Sequence, residues 1–115
     1  MSCLFQSIGY FLNVDAFQLR QQACDYLEGN HKIIEGVDTD VILKLEDPEY
    51  IKKMRDPNVW GGGNEIKAIC NVYKIKIVVH ILENNKKLEF VPINGLYRQI
   101  INIEWQGNHY EPMKN

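Results

Sequence analysis

Along the first twelve residues, Leu4, Phe5, Ile8, Phe11 and Leu12 recur at i, i+1, i+4, i+7 and i+8. That is the rhythm of a helix buried along one face. It sets Cys3 at the helix N-terminus, behind Ser2, whose hydroxyl suits a cap. Asn13 and Asp15 end this helix and open a second, with Asp15 as cap and Gln18 three residues on. Ala16, Leu19, Ala23, Tyr26 and Leu27 form its inner face, Cys24 packs beside them, and Gly29-Asn30 closes it. The pattern weakens from 31 to 46. Ile33 and Ile34 anchor a loop, His31 is a solvated loop residue, and Val41, Ile42 and Leu45 form a short helix behind Asp38 or Asp40. Asp47-Pro48-Glu49 is a cleaner start: Asp caps, Pro takes the first helical position and Glu complements the dipole. Tyr50, Ile51 and Met54 give that helix its apolar face, and Asp56-Pro57-Asn58 is a turn. Asn64 is expected to cap the next helix, whose face is Ile66, Ile69, Cys70 and Tyr73. Cys70 reads as a buried thiol.

The second half changes period. Residues 75–82 are apolar on both parities, which marks a central strand covered on both sides. His80 on this strand reads as a core or edge histidine. Asn84-Asn85 turns the chain into Leu88–Val91, and Asn94-Gly95 makes another loop. Ile101, Ile103 and Trp105 then alternate with Asn102, Glu104 and Gln106, a strand with one buried face. Gly107-Asn108 supplies a turn or bulge before His109-Tyr110-Glu111 and Pro112. Helices first and hairpins last predict an α+β fold, a small β-sheet with helices packed against it.

Composition narrows the function classes. The 115 residues suit a single domain spanning 1–115, and 45% hydrophobic with 24% charged residues is ordinary for a globular protein. A net charge of −2 without a basic stripe argues against nucleic acid. Cys3, Cys24 and Cys70 are an odd number without paired spacing, so free thiols in a reducing, cytoplasmic setting are expected. No Cys-x-x-Cys or His-x-x-x-His pair suggests a metal, and no cofactor is expected. Gly61-Gly62-Gly63 lacks both the P-loop continuation and the dinucleotide spacing. The N-terminal apolar stretch is too short to span a bilayer, is broken by Gln6, Ser7 and Gly9, and lacks a basic lead. No membrane partner is expected, and the chain reads as a monomer.

Two groups carry chemistry. Amide N–H groups and the positive end of the macrodipole favour a thiolate at Cys3. On extended backbone, His109 and Glu111 share one face and Tyr110 takes the other. A carboxylate so placed orients the imidazole, and the second ring nitrogen is left to take a thiol proton. Cys3 and His109 stand at opposite ends of the chain, so only the fold can bring them together.

These ends, together with Trp60-Gly61-Gly62 ahead of a helix, resemble the ovarian tumour (OTU) family of cysteine proteases. Cys3-Leu4-Phe5, Trp60-Gly61-Gly62, the strand from Ile75 and His109-Tyr110 follow the family's order across nearly the whole chain. The resemblance implies a papain-type core and an isopeptidase that removes ubiquitin, or a ubiquitin-like modifier, from conjugates. Cys3 would be the nucleophile, His109 the base and Glu111 its orienting partner. Trp60, Gly61, Gly62 and Tyr110 would contact the modifier. Two positions depart from the pattern. Met1-Ser2 stands where the family has an Asp-Gly loop that helps build the oxyanion hole, and Glu111 replaces Asp or Asn. The chain as given is therefore expected to bind ubiquitin and cleave it slowly. The alternatives are a weak or inactive OTU-like ubiquitin-binding module and a thiol hydrolase of another acyl substrate.

Overall fold

The first helix begins at the cysteine. α1 (Cys3–Leu12) ends at Asn13, which takes a left-handed φ of 57°. α2 (Ala16–Glu28) starts as expected, with Asp15 Oδ2 accepting the Gln18 N–H at 3.2 Å, and Gly29 closes it. The computed structural model describes residues 2–114. α3 (Thr39–Glu46) is capped by Asp38, whose Oδ1 accepts the Val41 N–H at 3.2 Å. Its inward residues are Thr39 and Leu43, while Val41 and Leu45 are exposed. One turn of Thr39 is tied down because its hydroxyl donates to the His31 carbonyl at 2.6 Å.

Asp47 does not cap a helix at Pro48. Its Oδ1 instead accepts the Glu49 N–H at 2.8 Å and closes a turn, so α4 (Tyr50–Met54) starts later than the sequence suggests. Met54 is buried there, with Tyr50 and Ile51 packed partly against the core. α5 (Gly63–Tyr73) buries Ile66, Ile69 and Cys70 as expected.

β1 (Lys76–Ile81), β2 (Lys86–Phe90), β3 (Ile100–Gln106) and β4 (His109–Pro112) form one sheet in the order β2-β1-β3-β4. β1–β2 and β3–β4 are antiparallel, but the central pair β1–β3 is parallel, with Ile77 opposite Ile101 and Val79 opposite Ile103. The sheet is therefore mixed rather than built from hairpins alone. Ile77, Val78 and Val79 are all buried, so β1 is covered on both faces there, as its apolar residues on both parities require. Helices α1, α2 and α5 meet the sheet in one cluster that includes Leu4, Phe5, Ile8, Leu19, Leu27, Ile66, Ile69 and Ile101. Full burial of a side chain such as Phe5 contributes about 1.5–3 kcal/mol. Among the described residues, no helix is long and apolar enough to cross a membrane.

Candidate active site

Cys3 is the first residue of α1 and is only 7% exposed. The earliest amides of a helix have no intrahelical partner, so its opening turn presents N–H donors around the thiol. Ser2 occupies the cap position without capping. Its hydroxyl donates instead to the Pro57 carbonyl at 3.3 Å, which anchors the start of α1 to the turn at 56–58. Met1, which stands where the family has its upstream Asp-Gly loop, lies outside the described residues.

The Trp60-Gly61-Gly62 segment rests on this same turn. A Cβ on Gly61 would come within 2.8 Å of the Phe5 ring and 2.9 Å of Leu4, so only glycine permits the approach. Trp60 is half exposed beside it. Gly62, not Asn64, holds the cap position of α5, and its N–H donates to Glu65 Oε1 at 2.7 Å. Asn64 lies inside the helix and donates to Glu46 at 3.2 Å and to the Tyr50 hydroxyl at 3.3 Å. The Tyr50 hydroxyl in turn donates to Glu65 Oε2 at 2.6 Å. Burial raises the Glu65 carboxyl above its usual range, while the Tyr50 and Gly62 hydrogen bonds pull it back.

Arg20 is the other buried charge, fully enclosed on α2. It donates to the Met54 carbonyl at 2.8 Å and the Pro57 carbonyl at 3.3 Å, and its guanidinium lies 4.5 Å from the centre of the Phe5 ring. Burial works against the cation; Glu65 and Asp56 work for it. The sequence pattern does not single out Arg20 or Glu65, and it marks Tyr50 only as part of an apolar helix face. Arg20 shares a helical face with Ala16, Ala23, Cys24 and Leu27, which is the signal that its charge concealed.

β4 lies alongside α1. At one end Lys114 Nζ sits 4.6 Å from the Tyr10 ring; at the other, Tyr110 is half-buried near Cys3. Burial is the main cause that pushes the Tyr110 phenol up, and its neighbours Cys3 and Glu65 add to it. Tyr110 packs towards Trp105, with ring centres 6.5 Å apart, and joins the edge of the core. As the alternation requires, His109 and Glu111 take the opposite face. Their Nε2 and Oε1 atoms are 3.3 Å apart, and the side chains are 57% and 60% exposed. Gly107 and Asn108, with φ of 57° and 68°, form the two-residue turn that sets this register. Among the described residues, no hydrogen bond joins Cys3 Sγ to the His109 ring. The fold thus brings the strand carrying His109 to the start of α1 while leaving the imidazole turned towards Glu111.

The other candidate groups are structural. Burial pushes the Cys24 thiol up to about 11 and the Cys70 thiol up to about 12, so both stay protonated near neutrality. Cys70 Sγ donates to the Phe90 carbonyl at 3.5 Å. His80 shares a 2.9 Å hydrogen bond with Asn102 across β1 and β3. Among the described residues, no three His, Cys, Asp or Glu side chains gather as a metal site needs.

A helix-start cysteine against a sheet whose last strand carries a histidine is the layout of a papain-like cysteine protease, and the comparisons agree. The OTU-like cysteine protease model matches residues 2–110, and the chain belongs to that family. It is 28% identical over 119 residues to Ubiquitin thioesterase OTU1 of Xenopus laevis, covering 98% of this chain and 38% of that protein. It is 25% identical over 115 residues to OVARIAN TUMOR DOMAIN-containing deubiquitinating enzyme 2 of Arabidopsis thaliana, covering 97% of this chain and 53% of that one. The chain therefore spans about half or less of these curated relatives. A solved ovarian tumour domain in complex with ubiquitin superimposes with a TM-score of 0.77 at 26% identity, over 96% of this chain and 62% of that chain.

Proposed function

We propose that this domain is a thiol isopeptidase that releases ubiquitin, or a ubiquitin-like modifier, from its conjugates. The observation that carries the reading is the junction at the first turn of α1. There a cysteine at a helix start, a glycine loop pressed onto the same turn, and the strand bearing His109 converge. Glu111 faces Nε2 of His109, which leaves Nδ1 to take the Cys3 proton. The Cys3 thiolate then attacks the carbonyl that joins the modifier's C-terminus to a lysine, and the oxyanion accepts hydrogen bonds from the opening amides of α1. Collapse breaks the C–N bond, the lysine amine leaves with the proton held by His109, and water hydrolyses the thioester. The absence of a Cys3–His109 hydrogen bond is compatible with this, since catalytic contacts in free enzymes often tighten only with substrate bound.

The missing Cys3–His109 hydrogen bond is the observation that favours a second reading, an OTU-like module that holds ubiquitin without cleaving it. Ubiquitin carrying an electrophile at its C-terminus separates the two. A covalent adduct mapped to Cys3 by mass spectrometry supports the isopeptidase. Tight binding with no adduct supports the module, and comparable labelling of Cys24 or Cys70 overturns the choice of nucleophile.

A further inference from the structure

We infer that Tyr50 and Glu65 are positioning residues that hold the Trp60-Gly61-Gly62 loop, and thereby set how tightly an extended modifier tail is kept beside Cys3. This rests on the proposed function for its substrate, but its geometry stands apart from it. Glu65 is completely buried, and each carboxylate oxygen has one committed partner: the Gly62 N–H at 2.7 Å and the Tyr50 hydroxyl at 2.6 Å. Hydrogen bonds to a buried charge are the strong ones. Through them α4 grips α5 at the point where the glycine loop leaves it.

Among the described residues, no other side chain hydrogen-bonds the loop in this way. Gly61 and Gly62 carry none themselves, and Trp60 is half exposed. The loop nevertheless has to stay on Leu4 and Phe5 with no space for a Cβ. Glycines cost more conformational entropy to fix than other residues, so a loop of this composition needs an external hold. Glu65 supplies it from below, through the one amide at the end of the loop. Tyr50 aims the carboxylate, and Asn64 donates to the Tyr50 hydroxyl at 3.3 Å and holds it in turn. If the pair only stapled α4 to α5, its loss would lower stability without changing how the tail is held. If it positions the loop, its loss appears in binding of the tail while the nucleophile remains intact.

Tyr50→Phe removes a single oxygen and keeps the ring, so the variant should fold. Four quantities are measured on the chain and its variants: melting temperature, amide exchange over 61–63, steady-state cleavage of a fluorogenic ubiquitin substrate, and alkylation of Cys3 by iodoacetamide. Tyr50→Phe should raise KM about tenfold, the scale of one hydrogen bond to a charged group. Its kcat and alkylation rate should stay near those of the parent, and exchange over 61–63 should quicken. Glu65→Gln keeps an acceptor for the Gly62 N–H and should restore most of the protection that Glu65→Ala loses. Unchanged KM and exchange in folded Tyr50→Phe would overturn the inference. So would a fall in kcat and a rise in KM that merely track a fall in melting temperature. If the parent itself fails to cleave, the isopeptidase reading falls. The positioning role is then decided by amide exchange and by ubiquitin affinity of Tyr50→Phe against the parent.

Discussion

Leu4, Phe5, Arg20 and Glu65, around the first turn of α1, are at most 1% exposed, whereas the His109 and Glu111 side chains on β4 are more than half exposed. The first region is dry and braced from two sides by buried charges, Arg20 over Phe5 and Glu65 under Gly62. The second is a short strand held in register by a two-residue turn and wetted on the face that carries His109 and Glu111. Pre-organisation is therefore concentrated on Cys3 and the loop beside it. Substitutions in the dry region should cost stability, while those on the wet face should cost rate with the fold untouched.

The largest effect should come from His109→Ala. Loss of a general base typically costs about 10²–10⁴-fold, so kcat should fall on that scale. Melting temperature should scarcely move, because exposed substitutions usually stay within about 0.5 kcal/mol. A large loss of stability would mean that the hairpin is braced after all, and the contrast would break.

Arg20→Met tests the dry side. It retains an apolar stem but strips the donors from the Met54 and Pro57 carbonyls and the cation from Phe5. With hydrogen bonds to charged groups worth about 1.5–3 kcal/mol each, a loss of about 3 kcal/mol in urea denaturation is expected. A shift below about 0.5 kcal/mol, the range of a surface change, would show that the buried cation does not brace α1.

Gly61→Ala should cost less, about 1–3 kcal/mol, the usual penalty for overpacking. Its methyl would meet Phe5 and Leu4, both enclosed and unable to give way. Calorimetry reads the stability loss, and ubiquitin affinity reads the displaced loop. Unchanged values for both would show that the loop does not depend on contact with α1.

The difference between the regions also governs what the sequence disclosed. Cys3, the Asp15 cap, the alternation in β3 and the Gly107-Asn108 turn are local signals written in consecutive residues, and the structure carries each of them. Nonlocal pairing left no such signal. The parallel contact of β1 with β3 depends on residues more than twenty positions apart. Asn64 has the better side chain for a cap, yet Gly62 takes that position because Glu65 reaches back to its amide. The mixed pattern over 31–46 gives no sign of which face of α3 is buried; the Asp38 cap and the Thr39–His31 hydrogen bond hold it with Leu43 in the core. Arg20 was hidden because charge predicts exposure except where carbonyls converge to pair it.

The smallest effect, and the sharpest probe of the wet side, is Glu111→Gln. The amide can still accept from His109, so the ring keeps its orientation, and only the negative charge is removed. At 3.3 Å with both partners more than half exposed, the pair is well solvated. Exposed ion pairs contribute about 0–1 kcal/mol, so kcat/KM should fall by roughly threefold at low salt, within that range. Because screening acts strongly on exposed charges, the gap between variant and parent should narrow as ionic strength rises, with no change in melting temperature. Steady-state rates on a fluorogenic ubiquitin substrate across a salt series measure both. A loss of a hundredfold that persists at high salt would show that substrate closes over His109 and Glu111 and dries them. The base would then be as enclosed during turnover as the nucleophile is at rest, and the contrast would hold only for the free protein.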